Sequence, residues 1–280
     1  MSAIPDLAAN GRAQPAPQAE AAWQALREAA AAPYRRAGRF AWHFARGKLG
    51  GDPVFRALLE SGALAGIGPP GAAPGAPDGP RRGARVVDIG CGQALLASLL
   101  QAAADAAERG RWPAAWPAAP RTASYLGIEL MPRDVSRATS ALAGCALAPR
   151  LVCADMRQAA LPPCDFVVIL DVLHYVDHAA QAALLARVRD ALQAGRRSGR
   201  LLLRVGDAAA SWGYRASQWV DRLVTWGRGH RAAPTFGRTL DDWVALLKGL
   251  GFAVRAEPMS RGTPFANMLL VADLSAAPAR

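Results

Sequence analysis

The sequence is poor in lysine, in paired cysteines and in long apolar runs. Lys48 and Lys248 are the only lysines among the 33 Lys and Arg residues, and there are four cysteines. The cysteines show neither CxxC spacing nor a disulfide-like framework, which favours a reduced, cytoplasmic setting. No apolar run approaches the roughly 18 residues of a membrane-spanning helix. Because the N-terminus has neither a basic region nor an apolar core, no signal peptide is predicted either.

The charge is one-sided, with a net value of +11 carried almost entirely by arginine. Such a balance has two interpretations. One is a compositional bias, since alanine, arginine, glycine and proline are all abundant. The other is an anionic partner, such as RNA, a phosphorylated substrate, coenzyme A or an acyl carrier protein. We favour the first, so nucleic acid is not the expected partner; the oligomeric state stays open.

The length of 280 residues accommodates one large α/β domain with extensions. Stretches rich in proline, glycine and alanine mark the expected boundaries. We predict a disordered tail over 1–17, a helical N-terminal extension over 18–65, a linker over 66–83 and a main domain over 84–280 with an insertion over 207–238.

The N-terminal extension contains a basic aromatic stretch over 34–48, with five cations, four aromatic residues and no acid. One interpretation is an amphipathic helix that packs Phe40, Trp42 and Phe44 on the main domain. The other is a lid over the active site that meets an anionic substrate or carrier. In that case Trp42 and His43 would contact the substrate.

The rest of the chain is organised around the stretch 86–96. It begins with a β-branched apolar run, continues through a Gly-x-Gly turn and enters an apolar helix. This order places backbone N–H groups and a helix N-terminus beside a ligand. The glycine spacing is Gly90-x-Gly92-x-Ala94, and Asp88 ends the strand. That acid would repel a pyrophosphate but suits the ammonium group of an amino acid.

Three further acids follow predicted strands. Glu129 ends the second strand, where an acid can accept hydrogen bonds from both ribose hydroxyls, and the neighbouring Leu130 could pack on an adenine ring. Asp155 ends the third strand and Asp171 the fourth, whose continuous apolar run over 164–171 is typical of a central parallel strand. Ligands of open α/β sheets bind at this carboxyl edge.

The stretch from Asp88 to Ala94 resembles motif I of the class I S-adenosylmethionine (SAM) methyltransferases, with alanine in place of the third glycine. Together with the other acids and two closing strands, the resemblance covers roughly 84–274. It implies a seven-stranded, doubly wound α/β sheet of the Rossmann-like type, SAM as cofactor and no metal site. A nicotinamide enzyme would share the first two features but needs no closing hairpin. The cofactor residues that the resemblance implies are Asp88, Gly90, Cys91, Gly92, Glu129, Leu130, Asp155, Met156 and Asp171.

The segment after the fourth strand indicates the acceptor class. It lacks the Asn/Asp-Pro-Pro-Tyr/Phe motif that holds a planar amino group in adenine, cytosine and glutamine methyltransferases, and Leu-His-Tyr-Val resembles small-molecule methyltransferases instead. A hydroxyl acceptor needs a base, for which the candidates are His174, Asp171 and, from the insertion, His230. Further candidate substrate contacts are Tyr175, Trp212 and Tyr214.

The N-terminal extension is also similar to that of bacterial methyltransferases of aryl polyene and xanthomonadin-type pigment pathways. This similarity implies a hydroxyaryl or polyene-precursor acceptor, carried on a carrier protein or coenzyme A. Two other functions stay open: an RNA or protein methyltransferase that uses the basic surface, and a SAM-binding interaction protein without catalysis.

Overall fold

We describe the chain from a computed structural model. Of the predicted tail and of the predicted linker, only the last residue of each is among the described residues. Most of the predicted insertion lies outside them as well. No helix in the described part of the chain is long and apolar enough to cross a membrane. The described residues are 17–65, 83–195, 198–206, 235–259 and 267–274.

Three helices precede the sheet: α1 (Pro17–Ala31), α2 (Arg39–Gly51) and α3 (Pro53–Glu60). A 3-10 turn over Ala32–Ala37 joins the first two, because Pro33 cannot continue the α-helical hydrogen bonds. The N-cap of α3 is Asp52, whose carboxylate accepts a hydrogen bond from the Val54 amide at 3.1 Å.

The buried face of α2 differs from the one that the aromatic residues suggest. Ala41, Ala45 and Leu49 are fully buried there, whereas 58% of Phe40 is exposed. Trp42 and Phe44 are partly buried and pack against the core. Phe40 therefore stays outside the apolar core, because small residues take the inner face of this helix, and its ring instead contacts the guanidinium of Arg137 at 4.4 Å.

The sheet has seven strands in the order β3-β2-β1-β4-β5-β7-β6. β7 runs antiparallel to β5 and β6, and the other neighbours are parallel. The predicted doubly wound fold with a closing hairpin is thus confirmed. The strands are β1 (Ala84–Ile89), β2 (Thr122–Glu129), β3 (Arg150–Cys153), β4 (Phe166–Leu170), β5 (Gly199–Gly206), β6 (Ala253–Pro258) and β7 (Asn267–Leu274). The helices beside it are α4 (Leu95–Glu108), α5 (Pro132–Leu142), α6 (His178–Ala194) and α7 (Leu240–Gly249), with a 3-10 turn over Leu173–Tyr175.

The central strands separate two apolar cores. Val168 of β4 belongs to one core, and its neighbours Val167 and Ile169 belong to the other, as the two-residue period of a strand requires. The first core also takes in the N-terminal helices, because α1 packs on α4 and the following 3-10 turn packs on α5. The N-terminal helices are therefore built into the fold beside the carboxyl edge of the sheet.

Candidate functional site

The glycine turn between β1 and α4 is left-handed at three positions. Gly90, Gly92 and Ala94 have φ values of +73°, +55° and +54°. At Gly90 a Cβ atom would lie 2.5 Å from the Val172 side chain, so only glycine fits there. A Cβ atom added at Gly92 would have nothing within 4 Å of it, so the turn is open to a ligand there. Ala94 adopts the conformation of the missing third glycine while fully buried.

The backbone N–H groups of this turn donate hydrogen bonds to other groups of the protein. The N–H groups of Gly90 and Cys91 both donate to the carbonyl oxygen of Ile128, at 2.8 and 3.1 Å. The Gly92 N–H donates to a carboxylate oxygen of Glu129 at 2.9 Å. The expectation that these amides face a ligand is therefore wrong for this structure. A cofactor would meet the turn through its Cα and carbonyl groups instead.

Asp88 lies beneath the turn, where only 4% of the residue is exposed. Its carboxylate accepts a hydrogen bond from the buried hydroxyl of Tyr125. Burial raises the pKa of Asp88 from 3.8 to about 7, with a smaller contribution from the Glu129 charge, while the Tyr125 hydrogen bond opposes the rise. Asp88 can therefore change its protonation state near neutral pH when a positive charge approaches, and its contact with an ammonium group stays a prediction.

Glu129 connects three segments of the carboxyl edge. One carboxylate oxygen accepts from Gly92, and the other accepts from the Met131 amide at 2.8 Å. Its carbonyl oxygen accepts from the Ala154 amide at the end of β3. The next side chain, Leu130, is 62% exposed. The contacts of Leu130 with adenine and of Glu129 with the ribose stay predictions.

Asp155 and Met156 form the turn that follows β3. The Asp155 carboxylate accepts from the Arg157 backbone at 2.8 Å and binds the Arg157 guanidinium, which lowers the pKa of Asp155. From α6, Arg187 donates to the Met156 carbonyl at 3.2 Å. These bonds place both residues at the edge of the sheet, and their contacts with adenine stay predictions.

Asp171 follows β4 in a left-handed conformation, with φ at +57°. Its carboxylate accepts a hydrogen bond from Nε of Arg204 at 2.8 Å, and Arg204 is 3% exposed. The Asp171 carboxylate is thus engaged by a buried guanidinium and is not free to face an acceptor hydroxyl. The geometry therefore argues against Asp171 as the general base.

His174 and Tyr175 lie on the 3-10 turn after β4. Their ring centroids are 4.1 Å apart, and 41% of Tyr175 is exposed. The last residues of the predicted insertion lie beside them, since the Phe236 amide donates to the His174 carbonyl at 2.8 Å. Gln181 of α6 is fully buried and donates to the Leu173 and Phe236 carbonyls, which holds both segments together.

The two substrate contacts predicted on α2 lie in an aromatic and cationic cluster. The Trp42 ring is contacted by Arg35 and Arg46, whose guanidinium carbons are 5.0 and 4.9 Å from its centroid. His43 is exposed and lies 4.6 Å from Trp42, centroid to centroid. The remaining predicted contacts, Trp212 and Tyr214, and the candidate base His230 lie outside the described residues.

Several residues that support the site carry no motif. Tyr34, which is fully buried, donates its hydroxyl to the Gln93 carbonyl in the glycine turn at 2.6 Å. Arg204 holds Asp171, and Gln181 holds the turn after β4. For Arg204 a signal was present, because a charged residue within an apolar strand indicates a buried partner of opposite charge.

Comparisons with known proteins agree with this geometry. A family model described as a methyltransferase domain matches residues 69–257. An O-methyltransferase family protein from Burkholderia thailandensis is 15% identical, with a TM-score of 0.55 over 87% of this chain and 62% of its own. The pyocyanin biosynthetic protein PhzM is 20% identical, with a TM-score of 0.52 over 86% of this chain and 61% of its own. A SAM-dependent methyltransferase from Mesorhizobium loti is 19% identical, with a TM-score of 0.50 over 79% of this chain and 96% of its own.

At these identities the three structures show a shared fold, and the chain spans about three fifths of the length of the first two. No curated protein sequence matches this chain significantly. The family model covers well over half of the 280 residues, including the glycine turn and all four strand-end acids. The chain therefore belongs to the methyltransferase domain family.

Proposed function

We propose that this methyltransferase transfers the methyl group of SAM to the hydroxyl of a small hydroxyaryl molecule. The observation that carries the proposal is the half-exposed Tyr175 ring beside His174, directly after the strand that ends at Asp171. An exposed aromatic ring next to a titratable group suits a flat phenolic acceptor. One structure of similar fold is named as an O-methyltransferase family protein, which supports a hydroxyl acceptor.

The cofactor would lie along the edge formed by the ends of β1, β2 and β3. Glu129 would accept from the ribose, Leu130 would cover the adenine, and Asp88 would balance the amino group. Bound SAM supplies a methyl group on a sulfonium, so attack by an acceptor oxygen forms a C–O bond, breaks the C–S bond and leaves S-adenosylhomocysteine (SAH). The contribution of the protein is to position the two reactants and to exclude water.

The proton of the acceptor hydroxyl would go to His174. The ring lies on the 3-10 turn that follows β4, and its backbone is fixed by Phe236. Asp171 is the weaker candidate, because its carboxylate is bound to the buried Arg204. A neutral imidazole can accept a proton near pH 7 without prior activation.

The cationic face of α2 supports an anionic group on the acceptor or its carrier. Arg39 and Arg46 of α2 and Arg35 of the preceding 3-10 turn are exposed, and no carboxylate of the described residues lies within 4.0 Å of them. In this proposal the predicted extension 18–65 is a lid, with its outer face open to a carrier protein or coenzyme A. The pigment pathway and the cytoplasmic setting stay predictions. Salt-sensitive RNA binding by the same face would favour the RNA methyltransferase instead.

The test is turnover of a panel of hydroxyaryl acids and their coenzyme A thioesters with SAM, detected as methyl ethers by mass spectrometry. With the best acceptor, His174→Asn should lower kcat by about 100-fold or more, the usual contribution of a general base. SAH affinity should not change. His178→Asn is the matched control, a second histidine of this region whose exposed ring contacts the Gly237 carbonyl and the Phe236 ring. Equal kcat values for the two variants would refute the role of His174.

A further inference from the structure

Arg204 of β5 lies between two carboxylates from distant parts of the chain. It donates from Nε to Asp171 at 2.8 Å and from Nη2 to Asp52 at 2.7 Å. The guanidinium side chain is 3% exposed and the Asp52 side chain 9%. Burial alone would raise the pKa of Asp52, but the hydrogen bonds and charges of Arg204 and Lys48 outweigh it and hold that pKa below its usual range. Each of these buried charges therefore depends on its partner.

The Asp52 end belongs to the N-terminal helices. Asp52 is the N-cap of α3 and ends the segment that begins with the exposed cations of α2. From the same strand as Arg204, Arg200 donates to the Ala63 carbonyl, just after α3, at 2.9 Å. Two arginines of β5, one near each end of the strand, thus hold α3 along this strand.

The Asp171 end leads to the glycine turn. The Asp171 amide donates to the Arg204 carbonyl at 3.2 Å, so backbone and side chain of Asp171 are both bound to Arg204. The next residue, Val172, packs so closely on Gly90 that a Cβ atom there would lie 2.5 Å from it. A shift of Asp171 would therefore move Val172 against the turn that faces the cofactor.

We propose that Arg204 is a positioning residue that couples the docking of α3 to the geometry of the cofactor turn. The coupling runs from Asp52 through Arg204 and Asp171 to Val172 and Gly90. It rests on the proposed function, because it assumes that SAM binds at this turn. Since coupling between two sites is reciprocal, SAH binding should also tighten the docking of α3.

The first test compares Asp52→Asn with the control Lys48→Gln by calorimetric titration with SAH. Asparagine caps a helix as well as aspartate does, so the variant keeps the start of α3 and removes the charge that faces Arg204. Lys48→Gln removes the other cation bound to Asp52, at 2.7 Å, and leaves Arg204 in place. We expect Asp52→Asn to weaken SAH binding about tenfold, within the range of such couplings, and Lys48→Gln to leave it unchanged.

The outcomes separate the two proposals. No SAH binding by the wild type would overturn both the coupling and the proposed cofactor site. Wild-type binding together with equal affinity of both variants would overturn the coupling alone. Hydrogen exchange of the wild type decides the question if Asp52→Asn fails to fold. SAH should slow exchange over 53–60 as well as over 90–96, and protection confined to 90–96 would overturn the coupling.

Discussion

The buried carboxyl group of Asp88 predicts an unusual dependence of stability on pH. Its pKa is raised to about 7 in the folded protein, whereas the ordinary value is 3.8. Between these values the folded chain keeps a proton that the unfolded chain loses. Stability therefore falls as pH rises through this window, and the loss is complete above pH 7.

The size of this effect follows from the shifted pKa. Each pH unit inside the window costs about 1.4 kcal/mol, so roughly 3 kcal/mol is lost between pH 5 and pH 8. Asp88→Asn has nearly the same shape, can still accept from Tyr125 and does not titrate. Relative to wild type, the variant should gain about 3 kcal/mol of unfolding free energy over the same interval.

The assay is urea unfolding of wild type and Asp88→Asn at pH 5, 6, 7 and 8. The control is Asp241→Asn, which changes an exposed carboxylate on the first turn of α7. Its unfolding free energy should depend on pH in the same way as that of the wild type. Parallel curves for wild type and Asp88→Asn would refute the assignment of a neutral, buried Asp88. If an ammonium group ionises Asp88, SAH affinity of the wild type should also rise with pH up to about 7.

Three further substitutions test the contacts around the turn. Tyr34→Phe leaves the buried Gln93 carbonyl without its donor and should cost about 1–3 kcal/mol in urea unfolding, with weaker SAH binding; unchanged stability would contradict this. Gly90→Ala should abolish SAH binding, because it combines a left-handed φ with a clash against Val172; wild-type affinity by calorimetry would show that the turn adapts. Gln181→Leu removes the NH₂ group whose two hydrogens serve three nearby backbone carbonyls and should cost about 3 kcal/mol, which thermal or urea unfolding would measure.

Features that depend on neighbouring residues could be predicted from the sequence. The Asp52 cap of α3 is one. The Thr239 cap of α7 is another, and its capping box with Asp242 is complete in the structure. The first four strands follow from apolar runs that end in or lead to an acid, so the carboxyl edge with Glu129 was also predictable. The positions of these residues are set by the local backbone and do not depend on contacts with distant segments.

Contacts between distant segments left no local pattern. Asp52 and Arg204 are 152 residues apart, and Tyr34 and Gln93 are 59 apart. These pairs form only when the N-terminal helices pack on the sheet, and the hydrophobic periodicity of the sequence does not indicate how they pack. For this reason the sequence predicts Asp171 as a base, while the structure pairs it with Arg204. The exposure of Phe40 has the same origin, since only packing decides which face of α2 is buried.

The most direct test of the central claim is calorimetric titration of the wild type with SAH, beside Glu129→Gln. The amide of glutamine would set an NH₂ group against one of the two N–H donors that Glu129 now accepts, from Gly92 and Met131. Glu108→Gln, at the exposed end of α4, is the matched control. We predict micromolar binding by wild type and control, and a loss of about tenfold or more in Glu129→Gln. No binding by the folded wild type, or equal affinity in all three proteins, would contradict the cofactor site described here.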